Sequence, residues 1–365
     1  VKIVRFDVFR YRLTYKHGEY VMSGGRASTT QDSTVLRLTT DDGVEGWGEV
    51  SPLGGTYLPA FPTGVRAALA ELAAALVGAD PTNISRVHQL MRTTLLGAEA
   101  AKSAVDIACW DILGKVAGLP VSTLLGGVLA PDFPLYEAVP LAAPEAMADF
   151  VAHRSSEGVR QFQLKVGNDP QEDAERTRAV LARADPDVLV IADSNGGWNI
   201  PQALSAVRAL AGLPVYIEQP CRSTADCAIV QTSSTLPLVL DESVLTLDDL
   251  FDAKHVAHAG SVNIKLSRVG GISAAARMRD RAQDLALTVS IEDTWGGDIT
   301  TAAVSHLAAS TSPSSLLTTS FFNDWTNEHV AQGQPRSSAG RGSAPTAPGL
   351  GIEVDASLLT PVFSA

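Results

Sequence analysis

Short apolar runs recur along the last two-thirds of the chain, each followed by a stretch whose apolar positions have helical spacing. The runs are Leu135–Val139, Gln161–Val166, Val188–Asp193, Val215–Glu218, Leu238–Asp241, Val262–Lys265, Leu287–Ile291 and Leu316–Ser320. Eight strand-length runs alternating with amphipathic stretches predict an α/β fold, a parallel sheet closed into a TIM-type barrel. A doubly wound open sheet is the alternative. It would carry a glycine-rich phosphate fingerprint after its first strand, and none appears there.

The first third has a different rhythm. VKIVRFDVFRYRL and STVLRLTTDDGVEGWGEV alternate as strands do, with DDG as a hairpin turn signal. Between them, His17–Thr29 is polar and glycine-bearing and reads as a loop. Helical spacing follows over Val65–Val77 and Ala98–Ala117. Together these predict an α+β module over residues 1–130, ahead of a barrel over residues 131–344. Ala331–Pro348 is rich in Gly, Ser, Pro and Ala and reads as a loop. GLGIEVDASLL regains strand and turn character, so the tail from about residue 345 to 365 is expected to complete the N-terminal module.

Three acidic residues close three consecutive apolar runs: Asp193 in DVLVIAD, Glu218 in PVYIEQP and Asp241 in LPLVLDES. In a parallel barrel such strand-end residues converge on the C-terminal face. Convergent carboxylates repel one another without a cation, and hard oxygen ligands with open positions suit Mg²⁺. A lysine flanks the triplet on each side, Lys165 in RQFQLKVG and Lys265 in SVNIKLSRVGG. Lysine at the end of an apolar strand is costly unless used or paired. Two bases beside one metal predict abstraction of a proton next to a carboxylate, with the metal holding the enediolate. Asn195 is placed to hold a ligand water or orient a carboxylate. Asp293, Trp295 and Asp298 lie in EDTWGGD, where a cationic ring nitrogen would find a carboxylate or an aromatic face. Tyr20 and Tyr57 sit in loops that could close over the site.

Composition narrows the partners. A formal net charge of −12 argues against nucleic acid and anionic membranes, and no apolar run is long enough to span a bilayer. The opening residues read as a strand and not as a signal peptide. Three cysteines without CxxC spacing give no disulfide or zinc framework, which favours reduced thiols and a cytoplasmic location. The histidines form no metal-binding helix motif.

Read as an ordered set, GWGE at Gly46–Glu49, AAKSAVDIACWDILGKVAGLPV, LLGG at Leu124–Gly127, IEQP, LDES, KLSRVGG and PGLGIEVD resemble landmarks of the enolase superfamily. The resemblance is to its mandelate-racemase and muconate-lactonizing branch and covers essentially the whole chain. It implies an N-terminal capping module over a modified (β/α)7β barrel, with one Mg²⁺ on Asp193, Glu218 and Asp241. Mandelate-racemase-like members use a His on the seventh strand, and none is present here. Muconate-lactonizing and dipeptide-epimerase members carry Lys-x-Lys on the second strand; here it is Gln163-Leu164-Lys165. That leaves Gln163 and Asn263 as neutral neighbours of the catalytic groups. RQFQLKVG, EQPCRS and EDTWGGDI resemble cis-3-hydroxy-L-proline dehydratases, whereas GWGEVSPLGGTYLP looks about as much like hydroxyproline-betaine epimerases. The implied partner is a small carboxylate substrate, a proline derivative, acted on by a homo-oligomer. The readings in play are a lyase, a racemase or 2-epimerase, a cycloisomerase (which needs only one lysine) and a non-catalytic binding protein on the same fold.

Overall fold

A computed structural model describes residues 1–365. The N-terminal module opens with three antiparallel strands, β1 (Ile3–Thr14), β2 (Thr30–Thr40) and β3 (Glu45–Val50). One face of this sheet packs on α1 (Pro62–Leu76), α2 (Ile84–Thr94) and α3 (Glu99–Ala117). Alternation along the strands sends Phe6, Val8, Leu36 and Leu38 into a core shared with Leu69, Leu72 and Val105. The stretch His17–Thr29, expected as a plain loop, contains a small hairpin that pairs Tyr20–Val21 with Ala27–Ser28. Its strands are two residues long, too short to leave a periodic signal.

The barrel follows as β4 (Tyr136–Val139), α4 (Pro144–Ser156), β5 (Gln161–Lys165), α5 (Pro170–Arg183), β6 (Leu189–Asp193), α6 (Ile200–Ala209), β7 (Val215–Glu218) and α7 (Thr224–Gln231). It continues as β8 (Leu238–Leu240), α8 (Leu247–His255), β9 (Ser261–Lys265), α9 (Ile272–Asp284), β10 (Thr288–Glu292), α10 (Asp298–Ala309) and β11 (Leu316–Thr319). The eight strands pair in sequence order, and a parallel bridge from Leu135 to Thr319 closes the ring. This is the (β/α)7β arrangement. Helix starts are specified locally: Asp169 accepts from Gln171 N and Glu172 N, while Asn199 and Thr246 form capping boxes with Gln202 and Asp249. After the barrel the chain returns to the N-terminal sheet. There β12 (Thr360–Ser364) lies antiparallel to β1, giving the order β12-β1-β2-β3.

Buried carboxylates fasten the N-terminal module to the barrel. Glu49, at the end of β3, accepts from Tyr11 OH at 2.6 Å, Ser33 Oγ at 2.7 Å, Gly297 N at 3.1 Å and Thr300 N at 3.0 Å. The last two amides open α10, where free N–H groups and the helix dipole favour an anion. Asp106 of α3 does the same at α9, accepting from Ser273 N at 2.9 Å and Ser273 Oγ at 2.5 Å. Within the module itself β3 lies close against α3 at Gly48, where a Cβ would fall 1.8 Å from Ala104 O. Glu49→Ala should strand these buried donors and cost about 3 kcal/mol, read as a lower urea midpoint at unchanged slope. An unaltered midpoint would show that the seam holds without this carboxylate.

Candidate active site

Parallel pairing carries a row of polar residues to one rim of the barrel. Lys165 lies opposite Asp193, Asp193 opposite Glu218, and Lys265 opposite Glu292. Side chains alternate along each strand, so Gln163 and Lys165 share the inner face of β5, as Asn263 and Lys265 share that of β9. In the closed ring β5 and β9 stand four strands apart. The two lysines therefore face each other across the mouth, with Asp193, Glu218 and Asp241 on the arc between them.

Every member of this group is buried and hydrogen-bonded. Lys165 Nζ donates to Asp193 Oδ2 at 2.5 Å and Gln163 Oε1 at 2.7 Å. Lys265 Nζ lies 2.8 Å from Asp241 Oδ2 and 3.6 Å from Glu292 Oε1. Arg268 NH1 reaches Asp241 Oδ1 at 2.6 Å. Gln163 Nε2 donates to both oxygens of Glu218 at 3.0 Å, and Asn263 Nδ2 donates to Glu218 Oε1 at 2.8 Å. Asn195, in left-handed backbone at φ 48, gives its amide N–H to Asp193 Oδ1. Its side-chain nitrogen bridges Asp193 Oδ2 and Glu242 Oε1. Gln163, Asn195 and Asn263 thus hold the carboxylates in place.

The electrostatics follow from burial and crowding. Burial raises the Glu218 carboxyl well above the ordinary range, and the neighbouring Asp193 and Asp241 add to it. Burial also acts to raise Asp241, but Lys265 and Arg268 more than offset it and hold that carboxyl low. Burial works against the charge on both lysines. Asp193 beside Lys165, and Asp241 with Glu292 beside Lys265, reverse that effect and hold both as ammonium.

The substrate-side residues divide. Tyr20 and Tyr57 line the cavity between the lysines, together with Tyr136 and Glu292. Asp293 lines it too, yet its oxygens are engaged by Ser267 N, Ser267 Oγ and Thr294 N; burial pushes its carboxyl up to about 6. Trp295 stands one layer back, with its ring 5.1 Å from Tyr20 and 5.4 Å from Phe322. Asp298 is not brought to the cavity. It accepts from Asn323 Nδ2, Val330 N and Ala331 N and pairs with His329, binding the segment after β11 to the start of α10. Three residues escaped the sequence reading: Arg268, and the pair Tyr136–Glu292, in which the tyrosine hydroxyl meets Glu292 Oε2. Arg268 is visible in KLSRVGG, three residues past Lys265; Tyr136 and Glu292 lie on strands far apart in sequence, and no spacing links them.

The donor set suits a divalent cation. Three buried carboxylates on neighbouring strands supply hard oxygens, and their mutual repulsion calls for positive charge. As they stand they are turned onto lysine, arginine and amide partners and do not gather round one point.

The comparisons agree with this architecture. Residues 11–126 match the mandelate racemase / muconate lactonizing enzyme N-terminal domain, and residues 146–358 the enolase C-terminal domain-like family. A cis-3-hydroxy-L-proline dehydratase of Roseibium aggregatum is 41% identical over 366 residues, covering 100% of this chain and 97% of that protein. An N-succinyl-L-Arg/Lys racemase of Bacillus cereus is 31% identical, covering 85% of each. A mandelate racemase/muconate-lactonizing-type protein of Roseovarius nubinhibens, crystallised with magnesium, superposes with a TM-score of 0.96 at 37% identity, over 100% of both chains. This chain is an enzyme of the enolase superfamily, in its mandelate racemase / muconate lactonizing enzyme branch.

Proposed function

We propose that this enzyme removes the proton alpha to the carboxylate of cis-3-hydroxy-L-proline and expels the 3-hydroxyl as water. The observation that carries this reading is the pair of lysines facing each other across the mouth, with the carboxylate triplet on the strands between them. In the cis isomer the hydroxyl shares a ring face with the carboxylate, so the alpha hydrogen lies on the opposite face. A base is needed on one side and an acid on the other, and lysines on opposite sides of the mouth suit those two roles. One lysine takes the alpha proton; the other gives a proton to the departing oxygen. The enamine left behind tautomerises to Δ¹-pyrroline-2-carboxylate. Full-length identity of 41% to a protein with that dehydratase name supports the choice of substrate.

Asp193, Glu218 and Asp241 would hold Mg²⁺, which when bound would neutralise charge developing on the substrate carboxylate and draw away the anions that keep the lysines protonated. Glu292 Oε1 accepts no hydrogen bond, with Lys265 Nζ at 3.6 Å as its ion-pair partner. Since Asp293 is already engaged, Glu292 is the acid left to meet the ring ammonium, with Tyr136 fixing its other oxygen.

A second reading, 2-epimerisation of proline or a hydroxyproline betaine, is favoured by the same two-sided placement. The lysine opposite the base could return a proton to carbon instead of to oxygen. Incubation with Mg²⁺ in D₂O separates the two. The expected result is cyclic imine from cis-3-hydroxy-L-proline, with only exchange or inversion from substrates lacking that hydroxyl. Efficient inversion of a betaine with no imine from the 3-hydroxy compound would decide for epimerisation.

A further inference from the structure

Two loops of the N-terminal module reach the barrel mouth, and each brings one tyrosine to one lysine. The hairpin around Tyr20 sets that ring 6.0 Å from Lys165 Nζ. It is fastened on the same side, with Ser23 Oγ donating to Ser194 O at 2.9 Å and Gly24 N to Asn168 Oδ1 at 3.0 Å. The loop Pro52–Phe61 serves the other side. Lys265 Nζ donates to Tyr57 OH at 2.8 Å and lies 5.3 Å from the Tyr57 ring centre. Tyr57 OH donates in turn to Asp241 Oδ2 at 3.2 Å. The polar contacts from Pro52–Phe61 to the barrel run through this hydroxyl alone; the loop's other hydrogen bonds stay within it or lead into α1. Arg26, held to Ser23 by two hydrogen bonds, lies over the same ring at 5.6 Å.

We propose that Tyr57 is a positioning residue for Lys265, and that its stack with Arg26 ties the two loops to each other at the mouth. The inference rests on the alpha-proton reading above. Lysine has a long, flexible stem, and Lys265 Nζ has three partners, of which only Tyr57 comes from a loop outside the barrel. Through Tyr57 the loop gives the ammonium group a second close acceptor beside Asp241; without it Nζ is drawn between Asp241 and the more distant Glu292. Displacement of a reacting group by about 1 Å can cost on the order of 10²-fold in rate. Lys165 is held by Gln163 and Asp193, both from the barrel itself. The two faces of the site therefore respond differently to the capping loops, and Tyr57 carries the response on the Lys265 face.

The test reads the two faces separately. L-proline and D-proline lack a leaving group, so the Mg²⁺-loaded enzyme can only exchange or invert their alpha hydrogens. Deuterium uptake from D₂O is followed by NMR for each enantiomer, and Lys265→Ala identifies the enantiomer that Lys265 serves. Tyr57→Phe should slow uptake by that enantiomer about tenfold and leave the other within twofold. Arg26→Met should show a smaller loss, roughly threefold, on the same side. Equal slowing of both enantiomers, or no slowing, would overturn the proposal. If the parent enzyme exchanged neither enantiomer and formed no imine from cis-3-hydroxy-L-proline, the alpha-proton reading would fall on its own; if it formed imine without exchanging proline, a structure replaces the exchange assay. The crystal structure of Tyr57→Phe would then decide: Lys265 Nζ displaced from Asp241 supports the positioning role, and an unmoved Nζ rejects it.

Discussion

Lys165→Ala and Lys265→Ala should each lower imine formation from cis-3-hydroxy-L-proline by about 10³-fold, within the range for losing a general acid or base. The loss should fall on kcat, because each lysine acts on the reacting proton while the carboxylate and ring are held by other groups. Both side chains are buried against carboxylates, so truncation also leaves Asp193 or Asp241 short of a cation. Lys→Met variants and circular dichroism separate that cost from chemistry: the fold should persist while turnover is lost. Unchanged turnover in both variants would make these lysines structural ion-pair partners and refute the mechanism.

Chelation should have an effect at least as large. EDTA should abolish turnover, and Mg²⁺ should restore it, with metal content following activity. Asp241→Asn should weaken Mg²⁺ binding and lower activity by about 10²-fold or more, since a neutral amide is a poorer ligand for a hard cation than a carboxylate. Asp241 also carries Lys265, Arg268 and Tyr57 on its two oxygens. The substitution should therefore disturb Lys265 as well, and added Mg²⁺ should rescue only part of the loss. Full activity of metal-free protein would overturn the proposed role of the triplet.

The barrel was legible because its signal is repeated. Each strand is a short apolar run bounded by polar residues, and the runs from Leu135–Val139 to Leu316–Ser320 lie on the eight strands within a residue or two. The strand-end carboxylates and lysines were legible for the same reason, as charges breaking an apolar pattern. Contacts between distant segments left no such trace. Tyr57 read as a loop residue for substrate, yet its hydroxyl is committed to Lys265 and Asp241. Asp298 read as a cavity acid because it follows a Trp-Gly-Gly turn; its Oδ2 instead serves backbone amides 32 and 33 residues further along. The tail from about residue 345 was expected to complete the N-terminal module; the strand that pairs with β1 is TPVFS, beyond the GLGIEVD segment that suggested it. Its burial is slight, so it shows little hydrophobic alternation.

That pairing of β12 with β1 has a consequence for biosynthesis. During translation β1 emerges ahead of the barrel, and its outer edge meets its partner only after the entire barrel has been made. Until then a row of unpaired backbone groups stays open on a strand rich in Val, Phe and Tyr, which is a template for association with other nascent chains. The charged residues Arg5, Asp7, Arg10 and Arg12 are interleaved along that strand, and such charges blunt strand addition by strangers. Closure of this sheet is thus a step of high sequence separation, which slows it relative to pairing between neighbouring strands.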